Sequence, residues 1–236
     1  TVARDKLNQP DLAIEYFKQA FMLAPQQMEC YVQLLELLKK KHDIVAIDGI
    51  LQIHTHSISR ENQVMRYREM ADIYLNEFNE PVQAIVKLKQ VLEVEHDNVE
   101  VLMKLAQLEI GEKHYSEART ALENILDIKD ADPVILAQAR EKLLDLYIDV
   151  FGTYEHAIPL LQDTLASNPN DTEAMERMAN VYFAQSRMSE SLALFLRLNT
   201  LVHGTDKVRV LLQIASLYKA LNQNDKIGDI MHEAAE

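Results

Sequence analysis

Glu93-Val-Glu-His96 carries the Glu-x-x-His spacing that places a carboxylate and an imidazole on one helix face, as di-iron bundles do. Such bundles need two of these segments and two further carboxylates, and the sequence offers one segment, near a helix end. His54-Thr-His56 is the other histidine pair, but a two-residue offset turns the rings to nearly opposite sides of a helix. His42, His96 and His203 fall near breaks between helices, where histidine is an ordinary C-terminal residue. No metal and no cofactor is expected. The chain also lacks a glycine-rich phosphate loop, a Gly-x-Ser-x-Gly elbow and a His-Glu-x-x-His segment. Carboxylates one turn apart, such as Asp145 and Asp149, become an acid–base pair only when buried. Nothing in their surroundings signals burial, so no catalytic residue is assigned and the chain is read as non-enzymatic.

Charge narrows the partner class. With 37 acidic and 24 basic side chains the net charge is −13, which repels nucleic acid and anionic lipid and favours basic partners. The one basic cluster, Lys39-Lys40-Lys41, has no interleaved aromatics and reads as a helix C-terminus offsetting its dipole. No apolar run approaches the ~20 residues of a membrane span, so membrane insertion is not expected. Cys30 is the single cysteine, which rules out an intrachain disulfide and suits a small core residue. The opening Thr-Val-Ala-Arg-Asp has neither an initiating Met nor an apolar leader, so the segment is expected to belong to a longer chain. Localisation stays open between a cytoplasm, slightly favoured, and a periplasm.

The elements that must position any site are helices. Ala, Leu and Ile recur at i, i+3, i+4 and i+7, with only 5 glycines and 6 prolines among 236 residues. One pattern returns along the whole chain. A large apolar residue is followed by a small one and, three further on, by a bulky one; a small, a bulky and an aliphatic residue then follow in the next helix. The copies are Leu34, Leu35, Leu38 with Ile47, Leu51, His54; Met70, Ala71, Tyr74 with Ala84, Leu88, Val91; and Leu105, Ala106, Glu109 with Ala118, Leu122, Ile125. They continue with Leu143, Leu144, Tyr147 and Ala157, Leu161, Thr164; Met178, Ala179, Tyr182 and Ser191, Phe195, Leu198; and Ile214, Ala215, Tyr218 and Ile227, Met231, Ala234. An opening partial copy retains Ala13, Phe17, Ala20 and Pro25. Small residues permit close helix crossings, and bulky neighbours fill the spaces beside them.

This pattern resembles the tetratricopeptide repeat, a helix–turn–helix unit of about 34 residues. Pro25, Pro169 and the turn Ala-Ser-Asn-Pro-Asn-Asp at 166–171 add to the resemblance. The tryptophan of the first helix is missing, and Ala or a larger residue replaces the glycine of the tight crossing. The resemblance implies an all-α, right-handed superhelical solenoid of antiparallel helix pairs. It is expected to form a single domain over 1–236, with a partial repeat at 1–27 and repeats at about 28–63, 64–98, 99–136, 137–171, 172–207 and 208–236.

Turn chemistry agrees. Ser116 and Ser189 are expected to cap second helices, Asp132-Pro133 supplies a cap with a first-turn proline, and Gly111 and Gly152 suit chain reversals. The spacing from third to fourth motif position is ten residues at Tyr74–Ala84 and Tyr147–Ala157 and nine elsewhere. Long and short repeats are therefore expected to alternate.

In the family, first helices line the concave face and partners usually lie there. The corresponding residues are Glu36, Arg68, Asp72, Met103, Gln107, Glu141, Asp145, Glu176, Asn180 and Phe183, with Ser216 and Lys219. The set is mostly acidic or amide, with Met103 and Phe183 as apolar anchors, and would take a basic or amphipathic protein or peptide segment. One version of the family holds chaperone C-terminal carboxylates with Lys and Asn at fixed first-helix positions. This chain has Arg68 with Asp72, Met103 with Gln107 and Glu176 with Asn180 there, so an acidic tail would meet like charge. The expected function is a non-enzymatic interaction scaffold or adaptor. The alternative is a structural module that self-associates, through an incomplete N-terminal repeat around Val2, Ala3 and Leu7, or packs against another domain of its polypeptide. An accessory domain of an enzyme is a third reading, which only flanking sequence would reveal.

Overall fold

The helical period becomes helices throughout. A computed structural model describes residues 9–235, and among them every regular element is helical. In chain order these are α1 Pro10–Leu23, α2 Met28–Lys41, α3 Ile44–Ser57, α4 Arg60–Asn76, α5 Pro81–Leu92, α6 Val99–Gly111 and α7 Tyr115–Asp127. They continue with α8 Pro133–Asp145, α9 Tyr154–Ser167, α10 Thr172–Ala184, α11 Met188–Asn199, α12 Gly204–Ala220 and α13 Ile227–Glu233. Contacts gather the chain into two compact units, one ending at Ala139 and one beginning at Arg140. From α1 to α7, and again from α9 to α13, each helix packs on the next, hairpin partner and following hairpin in turn. The chain is thus an all-α helical-repeat solenoid in its local architecture.

The repeated apolar positions build the core. In the first unit Leu34, Leu38, Ile47, Leu51, Met70, Ala71, Ala106, Ala118, Leu122 and Ile125 are all buried. In the second, Met175, Ala179, Phe195, Leu198, Val210, Leu211 and Ile214 form one cluster. Alanine at the crossings lets the backbones approach, and a larger side chain there would have to displace its neighbours. Met231, the bulky residue of the last second helix, is exposed instead.

Each hairpin closes by one rule. A residue with positive φ sits before the second helix, and the next N–H donates to the carbonyl of the motif's third residue. The positive-φ residues are His42, Asn79, Lys113, Gly152, Ser186 and Asn222. The bonds run Asp43 to Leu38 (3.1 Å), Glu80 to Tyr74 (2.8 Å), His114 to Glu109 (2.7 Å), Thr153 to Tyr147 (2.8 Å), Arg187 to Tyr182 (2.8 Å) and Gln223 to Tyr218 (2.8 Å). The Tyr74 and Tyr147 turns hold one more residue than the others. That is the ten-residue spacing. After Tyr147 the extra residue is taken up by a π-helical segment, Leu146–Val150, in which Phe151 N–H reaches the Leu146 carbonyl. Short and long turns alternate from α2–α3 to α10–α11, and the alternation ends at α12–α13, which is short.

Three expected turn roles are corrected. Ser116 and Ser189 are not caps: the helices begin at Tyr115 and Met188, with His114 and Arg187 before them. The backbone bonds from His114 and Arg187 set those starts, so the serines fall inside the first turn. Gly111 ends α6, and the left-handed residue of that turn is Lys113. Asp132 does accept from Val134 N–H at 2.7 Å, ahead of Pro133. Asp171 accepts from Ala174 N–H at 3.0 Å in the Asn-Pro-Asn-Asp turn.

Buried polar groups tie neighbouring hairpins together. Lys87 on α5 is buried and lies 2.9 Å from Asp48 on α3, which also accepts from the Tyr74 hydroxyl at 3.0 Å. Burial, and then the Asp48 charge, push the Tyr74 hydroxyl upward, so it stays a donor.

Candidate functional site

First-helix residues two before and two after the large apolar residue that opens each motif leave the packed face, because at about 100° per residue they lie about 160–200° around the helix from it. Glu36 on α2, Asp72 on α4, Gln107 on α6 and Glu141 on α8 are exposed. So are Asn180 and Phe183 on α10 and Ser216 and Lys219 on α12. Arg68, Asp145 and Glu176 are half-buried. Met103 is corrected: it is 8% exposed and belongs to the core of its hairpin stack, so it offers no anchor to a partner.

Side-chain pairing changes the electrostatic picture more than burial does. Asp72 lies 2.6 Å from Lys104 Nζ on the next first helix. Asp145 is paired with Arg177 in the same way. Glu176 is held by Arg209 through its two terminal guanidinium nitrogens, and Asp206 lies 3.7 Å from the same arginine. Arg68 is bonded to Glu95. The carboxylates expected to attract a basic partner therefore already face cations of the following repeat. These pairs are largely exposed, and each contributes about 0–1 kcal/mol to stability. Their main effect is to remove free negative charge from the first-helix face.

Lys104, Arg177 and Arg209 were not among the residues read from the sequence, though a signal existed. They follow their acids by 32, 32 and 33 residues, close to one repeat length, on helices of the same kind. Leu212 was also missed. It stands two residues before Ile214, the offset of Glu176 from Met178, and is 50% exposed. With Val208 (40%) and Phe183 (44%) it makes exposed apolar surface on α10 and α12, the two helices joined by the Glu176–Arg209 pair.

The histidines are dispersed. His56 Nδ1 contacts the Gln52 carbonyl at 2.6 Å, His114 pairs with Glu109 and His156 stacks on Tyr147. Among the described residues no group of three or more His, Cys, Asp or Glu is placed to hold a metal ion, and no helix is long and apolar enough to cross a membrane.

The hairpin stack, with alanine at four of the six first-helix crossing positions, defines a helical-repeat protein. Family matches agree on which kind: the description "Tetratricopeptide repeat" matches residues 75–143 and, separately, residues 3–27. These matches and the hairpin stack support a tetratricopeptide-repeat protein, a kind that serves in general as a protein-interaction scaffold. Curated proteins give no sequence match. Among solved structures, the chain resembles MamA AMB-1 at 20% identity and a TM-score of 0.55, covering 74% of this chain and 91% of that one. MamA 41-end from Desulfovibrio magneticus RS-1 is similar at 14% identity and a TM-score of 0.52, over 73% of this chain and 93% of that one. YrrB, described as a TPR protein with an unusual peptide-binding site, matches at 17% identity and 0.54, over 74% and 86%. At these identities the likeness is one of fold.

Proposed function

We propose that the chain is a non-enzymatic scaffold that holds a segment of another protein against its first-helix face, with the α10–α12 surface as the principal contact. The supporting observation is the exposure of Phe183, Val208 and Leu212 on two first helices whose acidic residue Glu176 is already neutralised by Arg209. Apolar side chains of the partner would dock there, with Asn180 and Ser216 available for backbone hydrogen bonds. Basic side chains of the same segment would be drawn to Glu36 and Glu141 and to the overall charge of −13. The peptide-binding site named for YrrB is consistent with such a role.

Affinity capture read by quantitative mass spectrometry tests the reading. A protein retained by the wild type and lost from Phe183→Ser/Leu212→Ser, with the variant's helicity intact, supports it. Equal retention by both removes this face. Alanine at Asp72, Asp145 and Glu176 together is the second arm, and unchanged binding there limits the contact to apolar groups.

A second reading, self-association, has its own observation: Tyr16, Met22 and Leu23 on α1 are 58%, 63% and 89% exposed. Light scattering behind size exclusion decides it, since a concentration-independent monomer mass ends this alternative.

A further inference from the structure

His54 is 2% exposed, and neither of its ring nitrogens hydrogen-bonds within the protein. It lies in the last turn of α3, where side chains from three other helices converge. The Tyr31 ring of α2 stacks on the imidazole at 4.2 Å and the Phe21 ring of α1 at 6.3 Å. From α4 come Arg66, 6% exposed with its guanidinium over Tyr31 at 4.9 Å, and Glu69, its ion-pair partner. Arg66 Nε also makes no hydrogen bond. Three buried polar atoms thus lack partners at one junction, a cost that only the closed form bears. Packing is thin at the same place: within the first unit, α3 meets α4 more sparsely than α1 meets α2 or α5 meets α6.

The ties on α3 are uneven along its length. Near its start, Asp48 accepts from the Tyr74 hydroxyl of α4 at 3.0 Å and lies 2.9 Å from Lys87 of α5. Near its end, the neutral Gln63 amide of α4 donates to the Thr55 and Ile58 carbonyls at 3.0 and 3.3 Å. An opening that begins at His54 can therefore leave the Asp48 end in place.

Charge supplies the trigger. Burial, and then Arg66, hold the His54 imidazole below its ordinary range, with Glu69 acting in the opposite sense. Burial, and then the Glu69 charge, push the Tyr31 hydroxyl upward, so it stays neutral, and Phe21 of α1 brings no charge. A proton on His54 would set a second cation near Arg66, with the Glu69 carboxylate shared between them. Once released, the imidazole titrates near the ordinary 6.5. Proton uptake therefore favours the open form below about pH 6.5, by at most about tenfold per pH unit.

We propose that the α3–α4 junction is an acid-opened seam: proton uptake by His54 frees the end of α3 from α4 and exposes the Phe21 and Tyr31 rings, while α6 and α7 stay folded. The seam shares no residue with the first-helix set, so it stands or falls separately from the scaffold reading.

Hydrogen exchange of the full chain, read by mass spectrometry from about pH 7.5 to about 5.5 and corrected for the intrinsic pH dependence of amide exchange, tests the proposal. Protection of α1 and of the second half of α3 should fall by about three- to tenfold, against less than about twofold in α6 and α7. His54→Phe keeps a stacked ring that cannot take up a proton, and should abolish the loss. Arg66→Met removes the repelling cation and leaves Glu69 to pair with the imidazolium, so its loss should be smaller than that of the wild type. If neither variant folds, the wild-type map decides alone. No loss at α1 and the end of α3, an equal loss through α6 and α7, or an undiminished loss in either variant overturns the proposal.

Discussion

Glu109 Oε1 lies 2.7 Å from Lys89 Nζ, at the hairpin position where Tyr74, Tyr147, Tyr182 and Tyr218 stand in other repeats. The carboxylate is 1% exposed, and its second oxygen meets His114 Nδ1 at 2.8 Å. An acidic residue can occupy a core aromatic position because Lys89 from the preceding hairpin and His114 from the adjoining turn reach in from the surface. Removing a partner should therefore be asymmetric. Lys89→Met leaves a buried carboxylate with one remaining partner and is expected to cost about 2–3 kcal/mol. Glu109→Gln leaves Lys89 and His114, both half-exposed and able to rehydrate, and should cost about 1 kcal/mol. Urea denaturation of the two variants measures the order; a larger loss in Glu109→Gln would show that packing, not charge, dominates.

The Asp48–Lys87 pair between α3 and α5 is the more buried of the lysine bridges. Asp48→Ala should destabilise by about 3 kcal/mol, because it strands Lys87 and takes away the Tyr74 acceptor. Asp48→Ala with Lys87→Met should recover part of that loss. A double-mutant cycle with no recovery would mean that the two residues are not coupled.

Lys113 holds φ at 63°, where a Cβ is strained and glycine is not. Lys113→Gly should raise stability by about 0.5–1 kcal/mol, provided its N–H keeps the bond to Ile110. Gly152, at φ 61°, is the opposite case, and Gly152→Ala should lower stability by about 1 kcal/mol. Chemical denaturation midpoints report both signs.

Stability should fall on mild acidification. The folded pKa of His54 is depressed below its ordinary 6.5 by burial and then by Arg66, with Glu69 acting in the opposite sense. The unfolded chain therefore takes up a proton first as pH drops below about 6.5. The contribution of neutral His54 is complete above that value and is lost as pH falls through the folded pKa. Unfolding free energies from pH 8 to 5 should decline more steeply for wild type than for His54→Phe. Parallel curves would assign the decline to other groups.

Much of the fold was legible in the one-dimensional pattern. The nine- and ten-residue spacings correspond to the two turn lengths, because closure is local: a left-handed residue and one backbone bond suffice. The serine caps and Gly111 were misplaced for the same reason, since the backbone turn chose the helix start over side-chain preference. Glu109 looked like an anomaly in the pattern, and its explanation lies with Lys89, twenty residues earlier and across a helix interface.

The sequence by itself determined the helices, their pairing into hairpins and the small residues at most crossings, because these follow from short-range periodicity and backbone chemistry. Only tertiary structure decided which charges remain free. Asp72, Asp145 and Glu176 find their cations one repeat away, and Met103 turns into the core while Leu212 stays out. Those outcomes depend on how neighbouring hairpins lean and which side chains then come within reach, and a repeating pattern encodes that only as a distance of about one repeat.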